Sequence, residues 1–279
     1  MRRVDPKVYT KEYYLTDCTG HEEFKKSLGD SLEPRFKEIK KYLIITSGMK
    51  VLDIGCGRGE MALFCAKKGA TVVGIDYASE AIKLAKFIQS KRPSNIKEKM
   101  SFYIMDAKKL TFEDSFFDIV ILTDVVEHLY PEELEKVFKE IKRVLKKDGK
   151  VIIHTAPNKW FNNFGYKYYS YPVSSLFIFL WNKLLNKSYP NIAKPQDLRT
   201  DSHAIMHINE PTYFSLRTLY KKYNFRGSII STNITVKKPA ISKKDTIFNF
   251  FIFLHPLSKK IPFNIFFGSD FISVLTNKK

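Results

Sequence analysis

The stretch that most constrains this chain is Lys50-Val51-Leu52-Asp53-Ile54-Gly55-Cys56-Gly57-Arg58-Gly59. An apolar, β-branched run ends in an acid, three alternating glycines follow, and a helical pattern opens near Glu60. This is the pattern of a strand delivering its tip to a ligand, because alternate glycines let the backbone turn sharply and present N–H groups with no Cβ in the way. The dinucleotide fingerprint G-x-G-x-x-G needs glycine at position 60. Glu60 stands there instead and would face a phosphate badly, which weakens a pyrophosphate reading. A second acid, Asp76, closes the strand pattern Ala70–Asp76 at a suitable distance for binding a ribose diol.

Strand and helix patterns then alternate. Met61, Leu63, Phe64 and Ala66 suit a helix that Gly69 stops, and Ser79–Gln89 is amphipathic. A third strand, Ser101–Met105, ends in Asp106-Ala107. The buried run Phe117–Leu122 leads into Thr123-Asp124-Val125-Val126-Glu127-His128-Leu129. Pro131 opens the next helix with Glu132 and Glu133 in its first turn, and Asp148-Gly149 is expected to end it before a fifth strand, Lys150–Thr155. Each acid stands where a parallel strand ends, which is where open α/β sheets bind ligands.

With two acids and three glycines in this order, residues 48–156 resemble the class I S-adenosylmethionine-dependent methyltransferases. The resemblance implies an α/β, Rossmann-like, seven-stranded and mostly parallel sheet with helices on both faces. A helix at Thr212–Tyr223 and strands near Gly227–Ser231 and Asp270–Thr276 would complete it. It implies S-adenosylmethionine as cofactor, with contacts at Asp53, Gly55, Cys56, Gly57, Asp76, Tyr77, Asp106, Ala107, Thr123 and Tyr14, Asp106 lying against the adenine amino group. The expected organisation is an N-terminal lid or brace over residues 1–47, a cofactor-binding core over 48–158, an acceptor-side insertion over 159–210, and a C-terminal completion of the sheet over 211–279. Methyl transfer asks a protein chiefly to align donor and acceptor and to exclude water. For a hydroxyl acceptor a base helps, and His207, then His154, are the expected candidates. Asp124 and Glu127 are the alternatives for an amine. No metal is expected, because His203 and His207 form the only close histidine pair in the sequence and no cysteine or acid cluster accompanies them.

Charge and aromatics bear on the acceptor. Of a formal net charge of +18, residues 1–150 carry +5 and residues 151–279 carry +13. The second half also crowds aromatic residues into 160–171 and 246–254. Rings beside lysines resemble an interfacial surface, which points to peripheral membrane contact and a cytoplasmic protein at the inner face of the membrane. The N-terminal Tyr13–Cys18 stretch with the glycine loop resembles methyltransferases of cell-surface polysaccharide assembly, implying a sugar hydroxyl, small-molecule or lipid-linked, as acceptor. Around Asp124–Leu129 the chain is similar to quinone-pathway O-methyltransferases. RNA methylation is the rival that the charge suggests, a noncatalytic cofactor-binding subunit is another, and the aromatic blocks would equally suit internal packing or a homodimer. Cys18, Cys56 and Cys65 give an odd count with no C-x-x-C pair, so neither a disulfide framework nor a zinc site is expected. No signal peptide is expected at Met1-Arg2-Arg3, and the apolar runs are shorter than the ~20 residues that cross a bilayer.

Overall fold

Apolar runs bounded by glycine, proline and acids become the strands of one seven-stranded sheet, ordered β3-β2-β1-β4-β5-β7-β6. The computed structural model describes residues 4–186, 188, 190–198, 206–233 and 243–278. The strands are β1 Lys50–Ile54, β2 Thr71–Asp76, β3 Met100–Ile104, β4 Phe117–Thr123, β5 Leu145–Thr155, β6 Phe225–Thr232 and β7 Asp270–Asn277. The first five pair in parallel. The last runs antiparallel to both of its neighbours, β5 and β6. Strand order reverses between β1 and β4, and the crevice that opens where crossovers diverge is the ligand site of such sheets.

Val51, Leu52 and Ile54 of β1 are all buried because helices cover both faces, and this is why a parallel strand reads as a continuous apolar run. In chain order the first helices are α1 His21–Ser27, α2 Pro34–Ile39, α3 Glu60–Lys67, α4 Ser79–Ser90, α5 Ser94–Lys97 and α6 Pro131–Val144. One face packs Phe36, Ile39, Met61, Leu63, Ile82 and Ile88 against the sheet. The other packs Leu134, Val137, Phe138 and Ile141 of α6 with Leu216 and Tyr220 of the helix Tyr213–Lys222. Proline opens α6, and the Glu133 carboxylate accepts the Tyr130 N–H at 3.1 Å, satisfying one of the donors a helix start leaves over.

Asp148-Gly149 does not end that helix. It stops at Val144, and β5 begins at once at Leu145, with Asp148 at φ +58° inside an irregularity where Phe117 pairs with Leu145 but Ile119 pairs with Lys150. A turn signal inside a strand thus marks a bulge.

The insertion after β5 is helical. A wide turn over Phe161–Ser170 runs into α7, Tyr171–Leu185. The two aromatic blocks pack on one another by one side only: Phe161, Tyr166, Ile252 and Phe253 bury together with Phe177 and Phe248. Their other sides face out, with Tyr168 67% and Phe251 46% exposed, and α7 adds Phe179 at 62% and Leu184 at 79%. No helix among the described residues is long and apolar enough to cross a membrane.

Candidate active site

A cleft of about 420 Å³ opens at the carboxyl ends of the strands. Its floor is the loop after β1. Gly55 at φ +68° and Gly57 at φ +50° hold a left-handed backbone, and a Cβ on Gly55 would stand 2.4 Å from Val125 Cγ2. The loop is pinned to the end of β2, where the Gly55 and Cys56 N–H groups donate to the Ile75 carbonyl at 2.8 and 3.0 Å.

Three acids face this floor in different states. Asp76 accepts the Gly57 N–H at 3.1 Å and the Ala78 N–H at 2.9 Å, which fixes its carboxylate while leaving lone pairs toward the cleft. Burial raises its pKa to about 6, against the relief from those hydrogen bonds. Asp53 is 1% exposed and neither of its oxygens makes a hydrogen bond of good geometry. Burial first, then the nearby Glu60 and Asp76, push its pKa up to about 8, and the Ala62 N–H relieves little of this. A buried carboxyl with unused acceptors fits a ligand that brings positive charge and N–H donors. Asp106, just beyond β3, accepts the Lys108 N–H at 2.9 Å and lies 3.3 Å from the Lys108 ammonium, which also reaches Glu133 at 2.5 Å.

The N-terminal segment walls the cleft. Tyr9, Tyr13, Tyr14 and Tyr77 line it as an edge-on aromatic cluster. Two arginines hold the segment in place. Arg58, in the glycine loop and 2% exposed, donates to the Tyr14 carbonyl at 2.7 Å and the Thr19 carbonyl at 2.9 Å, and pairs with Glu60 at 2.8 Å. Arg35 of α2 pairs with Glu33 at 2.7 Å and with Asp124 beyond β4.

At the other end of the cleft lie Asp124, Glu127, His128, Asn162 and His207. Burial opposes ionisation of Asp124, but Arg35 and then His154 hold its carboxyl well below the usual range. Burial, followed by the charge of Asp124, raises Glu127 to about 8, although its carboxyl accepts the Thr155 hydroxyl at 2.8 Å. His128 Nδ1 lies 3.0 Å from the Met206 carbonyl and 3.2 Å from the Tyr9 hydroxyl.

All ten residues expected at the cofactor, Asp53, Gly55, Cys56, Gly57, Asp76, Tyr77, Asp106, Ala107, Thr123 and Tyr14, line this one cleft, and so does His207. His154 does not. Its ring is 0% exposed behind Asp124, to which Nδ1 is bonded at 2.6 Å, so its influence on an acceptor runs through that carboxylate. His203 lies outside the described residues. The histidine beside His207 is His128, with ring centroids 5.0 Å apart, and Glu127 joins them. This corrects the expectation that no cluster of metal-ligand type accompanies His207. The roles of Arg35 and Arg58 and the pairing of His128 with His207 escaped the sequence reading, since the contacts to Asp124, to the Tyr14 and Thr19 carbonyls and between the two histidines join residues far apart along the chain.

Comparison with known proteins agrees with this geometry. Residues 52–153 match the family described as "Methyltransferase domain". Together with the strand order, that match decides the matter. Residues 52–153 belong to a class I methyltransferase domain. The chain is 30% identical over 152 residues to the ubiquinone biosynthesis O-methyltransferase of Pelagibacter ubique, covering 54% of this chain and 58% of that protein. It is 28% identical over 212 residues to the demethylmenaquinone methyltransferase of Lactobacillus johnsonii, covering 74% and 79%. The chain spans about half the length of the first curated relatives it matches, 44%, 58% and 58%. The fold is also that of a SAM-dependent methyltransferase from Archaeoglobus fulgidus, with a TM-score of 0.53 at 19% identity over 91% of this chain and 96% of that one. The cofactor of a methyltransferase domain of this class is S-adenosylmethionine.

Proposed function

We propose that this chain transfers a methyl group from S-adenosylmethionine to an oxygen of a small-molecule acceptor with an apolar body, of the prenylated quinol type. The observation that carries the reading is the convergence of Asp53, Asp76 and the glycine loop on one cleft whose far end holds His207, Glu127 and His128. When bound, the cofactor supplies a methyl group on a positively charged sulfur. Asp76, already oriented by two backbone N–H groups, accepts from the ribose hydroxyls. Asp53 offers its unused oxygens to the ligand's cationic amino acid end, and that charge offsets the cost of its burial. Asp106 with Ala107 meets the adenine edge, Tyr14 and Tyr77 close over the ligand, and Thr123 faces the transfer end. The N-terminal segment acts as a lid that excludes water. At the acceptor end His207 acts on the hydroxyl that takes the methyl group.

Of the acceptors that the sequence admits, the quinol has support from two relatives whose names place them in quinone pathways. The sugar hydroxyl rests on the resemblance of Tyr13–Cys18 with the glycine loop alone, and RNA on charge and aromatic content alone. The outward side of α7, with Leu176, Phe179, Leu180 and Leu184 exposed beside Lys183, supports peripheral contact with an anionic membrane face that presents such an acceptor. The deciding experiment supplies labelled S-adenosylmethionine to the protein with a source-cell extract and separates lipid, polysaccharide, RNA and protein. Label in the lipid fraction is the expected result. Label in polysaccharide or RNA would reassign the acceptor, and cofactor binding with no label anywhere would point to the noncatalytic alternative.

A further inference from the structure

We propose that Glu127, His128 and His207 form a site for one divalent transition-metal ion at the acceptor end of the cleft. One oxygen or nitrogen of each lies within 4.8 Å of the others, and all three residues line the cleft. Ligand atoms around an ion at about 2.1 Å stand roughly 3.0–3.4 Å apart, so a short side-chain rotation closes the set. His207 is half-buried and sits on an irregular segment outside any helix or strand.

The cluster is held from both sides. The Asn209 N–H donates to the Glu127 carbonyl at 3.1 Å, and the Met206 carbonyl lies 3.0 Å from His128 Nδ1. These two bonds stitch the segment bearing His207 to the turn bearing the other two residues. The tautomer that donates from Nδ1 to this carbonyl carries the imidazole lone pair on Nε2, the arrangement of metal-binding histidines. The Thr155 hydroxyl anchors the Glu127 carboxyl in the same way, at 2.8 Å. Asp124 is nearby, but Arg35 and His154 already bind its charge. One carboxylate with two imidazoles suits zinc, manganese, iron(II) or cobalt(II) better than calcium or magnesium, and three protein ligands leave positions open to a substrate.

The proposal deepens the methyltransferase reading and rests on it for one consequence, the class of acceptor. An ion held by three side chains favours an acceptor with two adjacent oxygens that can chelate it. One hydroxyl ionises and its proton passes to water. Its electron pair forms the bond to the methyl carbon while the carbon–sulfur pair departs with sulfur, leaving S-adenosylhomocysteine. His207 is then a ligand and not the base.

The test is a titration of untagged, chelator-stripped protein with cobalt(II) alone, read by visible absorption, alongside calorimetry of S-adenosylmethionine on the same stripped protein. One equivalent of cobalt is expected, with Kd raised roughly tenfold or more in His207→Ala and in Glu127→Gln. His21→Ala, which removes the part-buried His21 ring 3.3 Å from Glu22 in α1, should leave Kd unchanged. Absent binding, or equal binding by wild type and His207→Ala, overturns the site. So does loss of methyl transfer in His207→Ala with cobalt affinity intact, which would make His207 a base. Cobalt binding by a protein that does not bind S-adenosylmethionine would uphold the site and sink the methyltransferase reading.

Discussion

Asp53 is the residue at which cofactor and stability meet. Its carboxyl is raised from 3.8 to about 8 by burial, so the folded protein keeps a proton that the unfolded chain releases above pH 4. Stability of the cofactor-free protein should therefore fall as pH rises from about 4 to 8 and level off beyond. Urea unfolding at pH 5 and pH 8 tests this; Asp53→Asn should shrink the difference by about a few kcal/mol, the remainder coming from Glu127 and Asp76, whose pKa values burial raises to about 8 and about 6. Cofactor, by bringing positive charge to the carboxylate, should protect most at the alkaline end. Asp76 titrates in the same sense: burial raises its pKa too, so it also lowers cofactor-free stability as pH rises toward 6, while its ionised form is the one that binds cofactor. Its pKa is about 6, so affinity for S-adenosylmethionine should weaken as pH falls through 6. Asp76→Ala should cost about 1.5–3 kcal/mol of binding, on the order of 10- to 100-fold in Kd by calorimetry.

At the scale of elements, the glycine loop and the lid are joined by one side chain. Replacing Gly55 by alanine puts a methyl group 2.4 Å from Val125 Cγ2 in a left-handed backbone, and a loss of about 1–3 kcal/mol in thermal or urea unfolding is expected. Arg58→Ala strips Glu60 of its buried partner and frees the Tyr14 and Thr19 carbonyls. Limited proteolysis should then cut within residues 9–33 faster than in wild type, with stability lower by roughly 3–5 kcal/mol. These elements differ in how plainly the sequence announces them. Asp53, Asp76 and Asp106 were legible because a parallel strand carries its period and its end in consecutive residues. Helix α6 was legible from Pro131 and its apolar face. Arg35 and Arg58 were not, since the Arg35–Asp124 ion pair and the Arg58 bonds to the Tyr14 and Thr19 carbonyls span dozens of residues and leave no local period. His154 was misplaced for a simpler reason. It lies inside β5, one residue short of its end, and the strand end that reads as open in sequence is covered by Asp124, to which the ring is bonded.

For the whole molecule, what matters is that the aromatic residues divide. Composition located the two blocks but could not separate Phe253, buried, from Phe251, exposed, because only their packing against each other sorts one side from the other. If the outward side meets a membrane, Phe179→Glu combined with Leu184→Glu should cut cosedimentation with anionic vesicles several-fold while leaving S-adenosylmethionine affinity unchanged. Cosedimentation equal to wild type would remove membrane contact from the reading.

The position of β7 has a consequence for how such a chain comes into being. Residues 270–277 slot between β5 and β6, pairing with Lys150–Thr155 on one side and Phe225–Thr232 on the other. During synthesis, Val151, Ile152 and Ile153 emerge with one row of backbone donors and acceptors that nothing can meet until residue 270 has been made. A nascent chain stalled in the insertion or in the second aromatic block would present that sticky edge together with loose phenylalanines. Cotranslational chaperone capture is thus expected to peak over this interval and to end abruptly once the last strand is threaded home.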